Sequence, residues 1–212
     1  MIDSPAGREH CLTSDAEDAV YVLTIDQRRS RSEPDRVPAA IAALAGVTTV
    51  RPFDRTAGDE LQAVLDDPEA VTEAVGILAS DGHWSIGVGI GEVELPLPEQ
   101  TRAGRGQAFE RAREAVNSAK TTRYHLSVVG SGDAADGHAQ TALRLLVRTA
   151  TGRSPAGREA IREMRQGHSQ SEAAATLGIT PQAISQRLQA ADWHIEEDTR
   201  VLATHLLDVA HR

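Results

Sequence analysis

The stretch SQSEAAATLGITPQAISQRL, residues 169–188, decides how the C-terminal third of the chain is read. Ser169 is an N-cap residue, and Glu172 three positions later completes a capping box in which each side chain satisfies the other residue's backbone amide. Ala173 and Ala174 are small enough for a second helix to cross closely, and Leu177 adds apolar packing. Gly178 supplies the left-handed residue that ends a helix, Thr180 caps the next one, and Pro181 takes its first position, where a missing amide proton costs nothing. Ile179 plugs the turn, and Ile184 and Leu188 share an inward face at four-residue spacing. The spacing therefore predicts two short helices crossing at Gly178, with residues 157–167 as a supporting first helix.

Gln182, Ser185, Gln186 and Gln189, with Arg187, are left on the outer face of the second helix. Side chains of that kind suit base edges and phosphates. The expectation is a helix-turn-helix that binds double-stranded DNA through Ser169, Gln170, Thr180, Gln182, Ser185, Gln186, Arg187 and Gln189. A protein-interaction module built from two amphipathic helices is the alternative. The 35 residues around this stretch resemble the helix-turn-helix of sigma-factor region 4 and related bacterial regulators.

Upstream, the text reads differently. Val20 to Ile25 is an unbroken apolar, β-branched run, the mark of a strand buried on both faces. Helical spacing at Val37, Ile41 and Leu44 follows, then strands at 47–53 and 61–65 joined by a turn-rich segment containing Gly58. Residues 68–79 read as a helix, 84–93 as a glycine-interrupted strand, 107–120 as a helix and 123–129 as a strand. The order β-α-β-β-α-β-α-β points to an α+β class, a split βαβ core with right-handed crossovers covering one sheet face. The expected units are a lead-in without a fold (1–18), an α/β domain (19–132), a connecting segment or helix (133–152), and an all-α DNA-binding domain with a C-terminal helix (153–212).

Net charge is −9, but it is unevenly held. Residues 1–137 carry 13 Lys+Arg against 23 Asp+Glu, whereas residues 138–212 carry 9 against 8. The arginines at 144, 148, 153, 158, 162 and 165 are expected to give the second part a basic face. Aromatics are 3% of the chain, so the core must be built from Ala, Val, Leu and Ile. The single cysteine, Cys11, excludes an internal disulfide and fits an inert thiol. No run of about 20 apolar residues is present, the N-terminus lacks a basic start followed by an apolar run, and a cytoplasmic protein is expected. The eight histidines lack metal-ligand spacing, so no zinc site is assigned. On the C-terminal helix, Ile195, Leu202, Leu206 and Val209 fall near one face, an expected homodimer seam or a core stripe.

Asp26 ends the first strand, and Gly58-Asp59-Glu60 lies on the hairpin beside it. Carboxylates so placed suit a divalent metal carrying nucleotide phosphates. The pattern resembles the palm domain of class III nucleotide cyclases and GGDEF diguanylate cyclases. Together with Thr24 to Arg31, Gly87-Val88-Gly89-Ile90-Gly91 and residues 106–113, it also resembles the SatD-type family over residues 20–130. The resemblance implies a ferredoxin-like, cyclase-like palm, with Asp26, Asp59 and Glu60 as metal ligands, Arg28, Arg29, Ser30 and Gly58 as nucleotide contacts, and magnesium with a purine nucleotide as cofactor. The guanine-binding pairs of those cyclases have no counterpart here. The expectation is thus a dimerising, nucleotide-sensing domain in a transcriptional regulator, the alternative being a metal-dependent cyclase or phosphoryl transferase.

Overall fold

The computed structural model describes residues 19–212, so the expected lead-in and Cys11 lie outside the described residues. The architecture is α+β, a five-stranded mixed sheet with eight α-helices among the described residues. In chain order the elements are β1 (Val20–Gln27), α1 (Val37–Leu44), β2 (Arg51–Arg55), β3 (Glu60–Leu65), α2 (Pro68–Asp81), β4 (Trp84–Gly91), α3 (Gln107–Ala119), β5 (Leu126–Val129), α4 (Ala134–Thr151), α5 (Pro155–Arg165), α6 (Gln170–Leu177), α7 (Pro181–Ala190) and α8 (Trp193–His211).

β1 is central, as its apolar run predicts. The sheet order is β2-β3-β1-β4-β5, antiparallel throughout except for the parallel β4–β5 pair. Successive β1 side chains enter different layers. Tyr21, Leu23 and Ile25 pack with α1, α2, α4 and the end of α8, while Val20 and Val22 pack with Ala108, Phe109 and Ala112 of α3. Both sheet faces are covered, which is why β1 shows no polar alternation.

α3 lies directly on β4 because glycines clear its path. A Cβ at Gly87 would stand 2.2 Å from the Val116 nitrogen, and one at Gly89 would stand 2.2 Å from the Ala108 carbonyl oxygen. The glycine interruptions of β4 are thus a trench for a helix backbone. Here the expectation of crossover helices on a single face is corrected. β3, β4 and β5 run the same way and follow one another in the same direction across the sheet, yet α2 covers one face and α3 the other. The two connections therefore have opposite hands, and the right-handed rule cannot hold for both. The glycine trench gives α3 its close fit on the second face.

The expected unit boundaries also shift. α4 is no connector: Leu143 and Leu146 are fully buried in the sheet core. α5, α6 and α7 enclose a separate small core of Ala160, Ile161, Ala173, Ala174, Ile184 and Leu188. α8 divides its allegiance. Trp193 packs against the small core, whereas Ala203 and Leu207 are buried in the sheet core. The Tyr21 hydroxyl donates to the Leu207 carbonyl at 3.0 Å, and its ring stacks on His211 with centroids 4.8 Å apart. The C-terminal helix thus returns to the first strand, a contact 186 residues long that no local pattern announces.

Candidate functional site

The α6–α7 pair is built by its caps. Ser169 Oγ accepts from the Glu172 amide, and Glu172 Oε2 accepts from the Ser169 amide at 2.8 Å, the reciprocal box expected from sequence. The Ser169 amide, with the Ser169 hydroxyl donating to the same oxygen at 2.7 Å, holds the Glu172 carboxyl below the usual glutamate range. Gly178 closes α6 at φ 65°, and Thr180 Oγ1 accepts from the Ala183 amide to open α7 behind Pro181. Ile184 and Leu188 are buried against α5 and α6.

The opposite face of α7 is open. Gln182, Ser185, Gln186 and Gln189 are exposed and lie at the i, i+3, i+4 and i+7 positions of one face. Ser169 and Thr180 are exposed at the two helix starts, with Gln170 half-buried. Arg187 stands apart from this set. It is half-buried on the flank, 3.6 Å from Glu159 of α5.

The expected basic face is largely taken apart by the fold. Arg153 is buried against Glu196 and also donates to the Ala191 carbonyl. Arg165 and Arg200 reach the same Glu196 carboxylate at 2.6 and 3.5 Å. Arg144 donates to the Leu126 carbonyl. Only Arg148, Arg158 and Arg162 of the six arginines singled out remain exposed without an acidic partner among the described residues. Sequence reasoning missed Glu196, which joins α8 to α5. A glutamate next to Glu197 and Asp198 looks like one member of a solvated acidic run.

At the end of β1 a second site takes shape. A cleft of about 490 Å³ is lined by Asp26, Arg28, Arg29, Ser30, Arg31 and Asp59, with Ser85, Lys120 and His125 completing its wall. Asp26 and Glu60 stand opposite each other in the β1–β3 register. Of the three expected ligands, Asp26 and Asp59 line this cleft, and Glu60 is not among its lining residues. Asp26 Oδ2 is 2.7 Å from Lys120 Nζ, and Glu60 Oε1 accepts from Thr56 Oγ1 at 2.6 Å. Gly58, expected as a nucleotide contact, forms the hairpin turn at φ 57°, where its carbonyl accepts from Arg55 at 2.7 Å. No group of three or more His, Cys, Asp or Glu that could hold a metal occurs among the described residues. An ammonium group on the best-placed carboxylate leaves a set that does not fit a divalent metal. Arg28, Arg29 and Ser30 do gather at this cleft, and Arg28 is fixed there by donating to the Gly82 carbonyl at 3.2 Å. Burial, with Arg28 nearby, pushes the His125 imidazole below its usual range.

No described helix is long and apolar enough to cross a membrane. Comparison with protein-family models, with curated proteins and with solved structures found no match for this chain.

Proposed function

We propose that this chain is a DNA-binding transcriptional regulator, acting in the cytoplasm, that reads double-stranded DNA with α6 and α7 as a helix-turn-helix. The observation that carries the reading is the outward face of α7, where Gln182, Ser185, Gln186 and Gln189 stand exposed on a helix locked at both caps. Amide and hydroxyl side chains so arranged match the donor and acceptor pattern of base edges in the major groove. The exposed starts of α6 and α7 add partial positive charge for phosphates. Few free arginines flank them, so affinity rests on base contacts more than on counterion release.

In this reading the sheet unit is the ligand-responsive, dimerising part. Its β2-β3-β1-β4 order, with α1 and α2 on one face, is that of a ferredoxin-like βαββαβ unit, which supports the palm comparison for fold. Pairing of two copies is supported by Ile195, Leu202 and Val209, exposed at seven-residue intervals on α8, with exposed Leu145 of α4 bordering Ile195. The alternative, a metal-dependent cyclase or phosphoryl transferase, would rest on Asp26 and Asp59, of which Asp26 is paired with Lys120.

The test is selection of bound sequences from a random duplex pool with the full chain, repeated with Gln186→Ala and Ser185→Ala. The reading expects a recurrent motif whose affinity falls by about 1–3 kcal/mol in each variant. Equal retention of all sequences by wild type and variants would remove it.

A further inference from the structure

We propose that the cleft at the end of β1 binds the polyphosphate group of its ligand through Arg28, Arg29, Arg31 and Lys120, without a divalent cation and without reading a base. The inference deepens the reading of the sheet unit as the ligand-responsive part, and rests on it for its regulatory meaning only.

Charge is the first argument. The chain carries a net −9, yet this cleft gathers four cationic side chains against two lining carboxylates, Asp26 and Asp59, with Glu33 at its edge 3.9 Å from Arg29. Like charges crowded on one surface of an acidic protein repel one another and are relieved by an anion. Arg28 is anchored beside the opening, its amide donating to the His83 carbonyl at 2.7 Å and its guanidinium to the Gly82 carbonyl at 3.2 Å. Arg29 sits at φ 57°, a left-handed conformation that an arginine adopts at some cost. The β1–α1 turn is therefore held in a shape that keeps three arginines around one opening.

Lys120 is the second argument. At the end of α3 its ammonium lies 2.7 Å from Asp26, the place where a metal would have to stand to bridge this carboxylate to phosphate. A lysine in that position supplies one positive charge and up to three donors, enough to neutralise Asp26 and contact a phosphate oxygen at once. A divalent ion would have to displace it. The third argument is the lack of a large aromatic on the wall: no aromatic other than the His125 ring lines the cleft, so a nucleobase finds no Phe, Tyr or Trp platform there. His125 adds a buried Nδ1 that has no hydrogen-bond partner among the described residues.

The test is calorimetric titration of the full chain with inorganic tripolyphosphate, in EDTA and in excess magnesium, followed by ATP and GTP under the same conditions. The proposal expects binding in EDTA that magnesium does not strengthen, with tripolyphosphate, ATP and GTP agreeing within about threefold, less than 1 kcal/mol apart. Lys120→Gln and Arg31→Gln, both exposed positions whose folding is checked by circular dichroism, each weaken binding about tenfold. Asp26→Asn tightens it by removing a repelling charge, whereas at a metal site the same change abolishes binding. Binding that requires magnesium, loss of binding in Asp26→Asn, or a strong preference for one base each overturn the proposal. DNA affinity measured on the same samples separates the two levels. Tripolyphosphate binding that leaves DNA affinity unchanged upholds the cleft and removes the ligand-responsive reading, while DNA binding by a chain that takes up no tripolyphosphate overturns the cleft and leaves the DNA-binding reading standing.

Discussion

Replacing Glu196 by alanine tests how the α5–α7 unit is attached to α8 and the sheet. Glu196 is 0% exposed and faces Arg153, whose side chain is 2% exposed, together with the half-exposed Arg165 and Arg200. In Glu196→Ala, Arg165 and Arg200 can turn to water, but Arg153 cannot. Its Nε remains on the Ala191 carbonyl and its remaining donors lose their acceptor. Removing one partner of a buried pair costs about 3–5 kcal/mol, because the uncompensated charge dominates the loss. For a chain of this size that corresponds to a fall in melting temperature of roughly 10 °C. Urea unfolding followed by circular dichroism measures it directly. The paired substitution Arg153→Met with Glu196→Leu should recover most of the loss, since apolar side chains of similar volume replace a buried ion pair at little cost. A loss below about 1 kcal/mol in Glu196→Ala would show that the carboxylate does not hold α5 to α8, and no recovery in the double variant would show that the loss does not come from an uncompensated Arg153 charge.

Three further outcomes follow from the same geometry. Gly89→Ala places a Cβ 2.2 Å from one backbone atom of α3 and 2.3 Å from another, and should cost about 2–3 kcal/mol in urea unfolding, whereas Gly46→Ala, with open space around it, should stay within about 0.5 kcal/mol; equal effects would contradict the trench. The Glu172 carboxyl is held low by Ser169, so the capping contribution is full above the ordinary glutamate range and is lost as pH falls through the depressed folded value. Carboxyl NMR titration should show its midpoint rising only part of the way in Ser169→Ala, a change that also costs about 1 kcal/mol, because the hydroxyl donor is lost while the Ser169 amide still donates; an unmoved midpoint would exclude the hydroxyl as a cause. If two copies pair through α8 as proposed, Leu202→Glu should lower the sedimentation coefficient without loss of helicity; an unaltered coefficient would remove α8 as the seam.

What could be read from sequence is what local chemistry dictates. The run at Val20–Ile25 announces a strand covered on both sides, and Ser169, Glu172, Gly178, Thr180 and Pro181 announce two caps and a turn, because each acts within four residues of itself. The contacts that escaped are long-range. Nothing near Leu207 reveals that it packs beside Tyr21, and the run Glu196-Glu197-Asp198 does not show which carboxylate turns inward. Arg153 and Arg165, expected to face DNA, are consumed by that inward turn. At the strand-end cleft, Asp26 and Asp59 were legible, while Lys120, 94 residues from Asp26, reached the site only through the packing of α3 on β4.

On the proposed reading, the outer face of α7 enters a DNA groove. Amide hydrogen exchange on the full chain, with and without the duplex recovered by selection, addresses it residue by residue. The account predicts that protection on binding concentrates in residues 169–189, strongest at the start of α7. Protection confined to the sheet unit, or none at α7 while the DNA is bound, would contradict it.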